Sequence, residues 1–220
     1  MGRGIGNLRV DNVPIFLSPL IKGYGIVGSA CMSAMIQTIR ATCHWEFVNP
    51  NHYSKACIHV TWHENIPTYM SSYTIDSSLP QKHVWLQHPS AYMAPVHALL
   101  HRYGVEYILG SSGHGGQVAL NRLTETMLAH EMGSSAFFPD GPSGPAKVVK
   151  PGVVQLAQAT GLPMIPIRYE FSNSWRTGWD QKHFPKPGST IVVQEMGPMF
   201  VKPGDDNLKQ GVAELQRQLE

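Results

Sequence analysis

The chain has 220 residues, 42% of them hydrophobic, enough to bury one sizeable core and in keeping with a single domain plus a small attachment. Seventeen basic against fifteen acidic side chains leave a formal charge of +2, too little for a nucleic-acid footprint. Three widely spaced cysteines, Cys31, Cys43 and Cys57, give neither a disulfide framework nor a zinc pattern and point to a reducing compartment.

Val13 to Ile21 is an apolar patch interrupted by Pro14 and Pro19, which are expected to break a long helix there. From Tyr24 to Arg40 the spacing is helical, with Val27, Ala30, Cys31, Ala34, Met35 and Ile39 on one stripe. Polar residues dilute this stretch, so no membrane-spanning helix is expected; the stripe packs on its own domain or lies in a bilayer interface. The division expected is 1–43, a membrane-proximal segment and helix, followed by an α/β domain over 44–220.

His44–Val48 and Ala56–Trp62 read as strands around the turn Asn49-Pro50-Asn51, which places His63 at a strand end. In open α/β sheets ligands gather outside the carboxyl ends of strands. Strands and helices then alternate: helix 66–73, strand 84–87, helix 91–103, strand 105–109, helix 117–131, strand 135–138, helix 153–160, strands 164–169 and 190–194, and an amphipathic helix 205–219. Trp175 and Trp179, four apart, read as a helix face. The alternation predicts an α/β fold, a layered and mostly parallel mixed sheet flanked by helices.

Two strand-to-helix loops carry the chemistry. Gly110-Ser111-Ser112-Gly113-His114-Gly115-Gly116 is rich in backbone N–H groups and hydroxyls, but it lacks the endings of a Walker loop or a dinucleotide turn. The loop from Phe138 to Gly152 holds Asp140, Gly141, Ser143, Gly144, Lys147 and Lys150, a stiff, cationic stretch of the kind that cradles anionic ligands. His97 and His101 share a helix face at a spacing metal sites use, but no adjacent glutamate completes a zinc-protease pattern, and no metal is expected.

Taken in order, Trp62-His63, the Gly110–Gly116 loop, Phe138-Pro139-Asp140-Gly141-Pro142-Ser143-Gly144-Pro145, the basic Lys147–Lys150 stretch and Gly161-Leu162-Pro163-Met164-Ile165-Pro166 resemble a bacterial lysophospholipid acyltransferase-like family of the glycerolipid acyltransferase superfamily. The resemblance covers roughly Trp45 to Gln194. It implies a glycerolipid acyltransferase-like fold, peripheral on the cytoplasmic face of the inner membrane. The implied reaction moves an acyl chain from an acyl thioester, acyl-CoA or acyl carrier protein, to a hydroxyl of a lysolipid-like acceptor. No tightly held cofactor is implied.

By position His63 is the implied general base, with Asp140, Gly141 and Ser143 in the acceptor-binding motif. Gly110, Ser111, Ser112, His114, Gly115, Gly144, Lys147 and Lys150 complete the implied pocket. Histidine, with an ordinary pKa near 6.5, suits that role at neutral pH. The chain departs from the pattern twice. The carboxylate expected five residues after the base is Thr68, and the later acidic segment is represented by His88–Ala94. Glu64, Asp76, Asp140 or Tyr92 is left to support His63, or else the protein is a weak or inactive lipid-binding homologue. In the glycine-serine loop, His114 stands where relatives carry arginine, so a bidentate phosphate contact is lost and the acceptor head group need not be glycerol phosphate.

Overall fold

Of the two prolines in the N-terminal patch, Pro14 lies ahead of any long helix, as expected, while Pro19 starts one. Pro19 lies in the first turn of α1 (Ser18–Thr42), where its fixed φ suits the helix and its missing N–H has no partner to lose. The expected helix 24–40 therefore gains six residues at its front. The structure is a computed structural model and describes residues 8–48, 56–73, 83–110, 115–129 and 133–220.

The remaining elements follow the expected alternation: β1 (His44–Val48), β2 (Ile58–Val60), α2 (Ile66–Tyr73), β3 (Val84–Gln87), α3 (Ala94–Arg102), β4 (Glu106–Leu109), α4 (Gly116–Ala129), β5 (Ser135–Phe137), α5 (Gly152–Thr160), β6 (Met164–Phe171), β7 (Ser174–Thr177), β8 (Lys182–Pro185), β9 (Thr190–Glu195) and α6 (Asp205–Leu219). The central sheet has the order β1-β9-β6-β2-β5. All its neighbours are parallel except β6 and β9. A parallel bridge between His83 and Ser134 seats the parallel pair β3–β4 beside β5, extending the layer. The mostly parallel mixed sheet flanked by helices is thus as expected. β1 and β2 are not neighbours in the sheet, β1 pairing with β9; the turn expected at 49–51 lies outside the described residues.

Strand residues alternate between two apolar layers, as a period of two requires. Ile165, Ile167, Ile191 and Val193 face a cluster with Ile36 and Ile39 of α1, Tyr69 and Met70 of α2, and Leu99 and Leu100 of α3. Ile58, Val60 and Met164 face Leu123 of α4, Val153 and Leu156 of α5, and Leu215 and Leu219 of α6. Each cluster buries several large side chains, at roughly 1.5–3 kcal/mol apiece. The two helix layers fix the strand ends on which the site is built.

A second difference concerns the tryptophans. Residues 174–185 form not a helix but an antiparallel hairpin, β7–β8, with Trp175 on β7 and Trp179 in its turn. The four-residue spacing suggested a helix, but Gly178 at φ +80° and Gln181 at φ +54° turn the chain between two short strands.

Candidate functional site

β2 stops at Val60 because the chain leaves the sheet there: Thr61 N–H donates to Phe137 O, and Trp62 buries its ring while its Nε1–H donates to Leu219 O of α6 at 3.1 Å. His63 then opens a 3-10 turn, His63–Asn65, at the carboxyl end of the strand. The imidazole is half-buried. It sits edge-on to Phe138 (ring centroids 6.2 Å apart) and stacked on Trp179 (6.1 Å, 27° between planes).

Asp140 is buried and does not touch the ring. Its Oδ1 accepts the His63 backbone N–H at 3.0 Å and its Oδ2 accepts the Lys147 N–H at 3.3 Å, so it ties the imidazole's backbone to the proline-rich loop. A buried carboxylate satisfied by main-chain donors is a clamp, and Asp140, expected to be catalytic, occupies that position. The loop is anchored elsewhere as well. Gly141 N–H donates to Phe138 O, Gly144 N–H to Gly141 O and Lys150 N–H to Pro139 O, while Gln216 of α6 accepts from Val149 N–H and donates to Lys147 O. These amides are satisfied within the protein. Ser143 and Lys147 are exposed and Lys150 is partly exposed.

The acid that supports His63 comes from a segment the sequence did not mark. Asp180, in the turn of the β7–β8 hairpin, places Oδ2 2.5 Å from His63 Nδ1, and its side chain is fully buried. A contact this short between a carboxylate oxygen and a ring nitrogen requires a proton between them, so Nδ1–H donates and Nε2 carries the free lone pair. Lys182, at the start of β8, lies with Nζ 3.2 Å from the same Nδ1 and forms an ion pair with the same Asp180 oxygen. Burial holds the imidazole below its ordinary pKa, the Asp180 hydrogen bond pulls it upward and the Lys182 charge pushes it down again. For Asp180, burial pushes the pKa up, but hydrogen bonds from Lys182 and His63 outweigh it and hold the carboxyl below its ordinary value.

The residues named from sequence as acid partners stand elsewhere. Glu64 Oε1 pairs with Lys147 Nζ at 3.1 Å, Tyr92 lies against His88 (5.8 Å between rings), and Asp76 is outside the described residues. Thr68, where the family pattern has its acid, is buried with no hydrogen-bond partner for Oγ1 among the described residues. Asp180 is 117 positions from His63. Its sequence signal was the turn glycine Gly178 between two short alternating runs, Ser174–Thr177 and Lys182–Pro185, which the tryptophan spacing obscured.

Of the glycine-serine loop, Ser111, Ser112 and His114 lie outside the described residues. Gly110 and Gly115 stand at the carboxyl end of β4, on the same rim as His63 but with β5 and β3 between β4 and β2, three strand spacings or roughly 14 Å away. Gly110 is dictated by packing, since a Cβ there would lie 2.1 Å from the Cβ of Ala119 in α4. The paired histidines of α3 separate: His97 is buried against Tyr107 (4.6 Å between rings), whereas His101 is exposed.

No protein-family model matches the chain. An uncharacterised protein of Rickettsia prowazekii (strain Madrid E) is 29% identical to it over 106 residues, which is 47% of this chain and 47% of that protein, so the match spans about half of the relative's length. Among solved structures, the crystal structure of the 1-acyl-sn-glycerophosphate acyltransferase PlsC from Thermotoga maritima is similar over 93% of this chain and 91% of its own, with a TM-score of 0.51 and 14% sequence identity. The likeness is one of fold: the mixed α/β sheet flanked by helices is shared with that structure.

Proposed function

We propose that the protein transfers a fatty acyl chain from an acyl thioester, acyl-CoA or acyl carrier protein, to a hydroxyl of a lysophospholipid-like acceptor, with His63 as general base. The observation that carries this reading is the 2.5 Å contact between His63 Nδ1 and buried Asp180, which leaves Nε2 as the proton acceptor. Nε2 takes the hydroxyl proton as the acceptor oxygen attacks the thioester carbonyl. The tetrahedral intermediate then collapses, the C–S bond breaks, and the proton passes from the imidazolium to the departing thiolate. Asp180 holds the ring in the productive tautomer and stabilises the imidazolium. Its presence supports catalysis over lipid binding by an inactive homologue, a rival motivated by the lack of an acid partner.

Acceptor contacts fall to the Asp140 loop, with Ser143, Lys147 and Lys150 as its polar side chains and Gly141 and Gly144 shaping its turns. Trp179 covers one face of the imidazole and touches the position a Cβ on Gly144 would take, so it forms an apolar wall suited to an acyl chain beside the base. The protein docks peripherally on a membrane surface, the cytoplasmic face of the inner membrane, through the first half of α1. Ile15 and Phe16 just ahead of the helix and Leu20, Ile26 and Val27 on it are exposed; against the expectation from its polar residues, the helix is also apolar and long enough to cross a membrane by length and composition.

The test is transfer of a labelled acyl group from acyl-CoA or acyl carrier protein to a panel of lysolipids, with His63→Ala alongside. Transfer that disappears in His63→Ala is the expected result. Equal transfer by both proteins removes His63 from the mechanism, and no transfer across the panel removes the activity.

A further inference from the structure

We propose that Lys182 is a positioning residue for the base: its ammonium serves as the counter-charge of the Asp180 carboxylate, and in doing so it lets His63 remain a neutral, Nδ1-protonated imidazole able to accept a proton at Nε2.

The reasoning begins with the carboxylate. The Asp180 side chain is fully buried, and its Oδ1 has no hydrogen-bond partner among the described residues, so Oδ2 carries every contact that compensates the charge. A buried carboxylate without a counter-charge is costly and favours positive charge on the groups that touch it. Two groups reach Oδ2, the Nδ1–H of His63 and the ammonium of Lys182. Without the lysine, the carboxylate's remaining means of neutralisation is to draw a full positive charge onto the imidazole. An imidazolium has no lone pair to offer, so the base would be inactive at neutral pH.

Lys182 is built into the fold to avoid this. It faces Thr177 across the hairpin, two residues beyond the acid, and β8 packs against both the His63–Asn65 turn and α2. Its neighbour His183 points the other way, buried and stacked on Phe171 at 4.4 Å, which pins the strand so that Lys182 projects toward the dyad. The charged groups facing the imidazole are Asp180 and Lys182 from the hairpin and Asp140 from the loop after β5; Glu64, on the imidazole's own turn, is paired with Lys147. Asp140 already holds two main-chain N–H groups, so Lys182 is the cation among them that offsets Asp180.

The inference rests on the reading of His63 as a base, but its decisive test needs no substrate. The protein labelled with 15N-histidine is titrated by NMR, with the His63 signals assigned by their loss in His63→Ala. In the parent protein they report the neutral Nδ1–H tautomer at pH 7. Lys182→Met is expected to raise the His63 midpoint by about one pH unit or more, the usual effect of removing a charge at this distance. Lys182→Arg, which keeps the charge, is expected to stay within about half a unit of the parent. In the double variant Asp180→Asn, Lys182→Met the rise is expected to vanish, because the carboxylate that drives it is gone. A smaller rise or a fall in Lys182→Met overturns the proposal, as does an equal rise in the double variant. If Lys182→Met does not fold, Lys182→Gln replaces it under the same criteria. With an active enzyme, the acid limb of the kcat profile moves up with the midpoint while KM is unchanged. A protein that shows the NMR shift but no acyl transfer refutes the transferase assignment and leaves the role of Lys182 standing.

Discussion

At the scale of single residues, the site consists of one imidazole with a carboxylate on its ring nitrogen and a second carboxylate that belongs to the backbone. Asp140 and Asp180 are both buried near His63, yet the first accepts main-chain N–H groups and the second accepts the ring proton. Their replacements are therefore expected to differ in kind. Asp180→Asn cannot hold the Nδ1–H tautomer in the same way, and turnover is expected to fall by about 10³–10⁴ with folding retained, as for loss of the orienting acid in a serine protease. Kinetics of that variant at saturating acceptor check this; a loss under tenfold removes Asp180 from the role. Asp140→Asn instead weakens the clamp on the loop and is expected to cost about 1–3 kcal/mol of stability, read by urea unfolding. Gly144 is a second residue-scale constraint. It sits at φ +64°, and a Cβ there would lie 2.8 Å from the Trp179 ring, so Gly144→Ala is expected to displace the indole from His63 and destabilise the protein by about 1–2 kcal/mol. Unchanged tryptophan fluorescence together with unchanged stability counts against this.

At the scale of elements, the β7–β8 hairpin and α6 complete a site whose sequence motifs lie on other elements. The hairpin supplies the acid, the lysine and the aromatic wall, while α6 grips the strand end and the loop through Trp62, Gln216 and the two carbonyls of Arg217 and Gln218 that accept from Arg168. Gln216→Ala removes two bonds to the loop at once, and faster amide exchange at Lys147 to Lys150 with a stability loss of about 1–2 kcal/mol is the expected outcome. Helix α1 divides its surface in two. Gly25 and Gly28 let it approach Ala94 and Pro95 of α3, and Ile36 and Ile39 enter the core, while its front half exposes a run of large apolar side chains. Replacing Ile15, Phe16 and Leu20 together by serine leaves the core intact and is expected to abolish sedimentation with anionic liposomes; full co-sedimentation of that variant refutes docking through this face.

At the scale of the whole molecule, the sheet separates two helical layers, and burial lowers the pKa of several histidines on or beside its strands and on the hairpin. His59, bonded to Tyr69 OH at 2.8 Å, is pushed down to about 4 by burial; His83 to about 3, by burial and then by the charge of His59; and His183 to about 4, by burial and then by Arg176 and Lys147. Each folded pKa is below the unfolded value near 6.5, so between those limits the unfolded chain binds more protons and stability falls as pH falls. Full stability is expected above pH 6.5, with a loss of up to about 1.4 kcal/mol per histidine for each pH unit below it. Thermal unfolding followed from pH 7.5 to 4.5 tests this, and a melting temperature that stays level across that range contradicts it.

The sequence by itself determined the order and type of most elements, the parallel α/β layering and the placing of His63 and of the Asp140 turn each just after a strand, because these follow from local periodicity, glycine and proline geometry and the short connections between strands. Tertiary structure alone decided which acid serves the imidazole. Asp180 reaches His63 only because a hairpin 117 positions away folds over the rim of the sheet, and burial in that place fixes the ring's tautomer and sets Lys182 against the carboxylate. Spacing along a chain carries no record of which distant turn will be packed against which strand end, and here that packing brings both a carboxylate and a lysine ammonium to the imidazole.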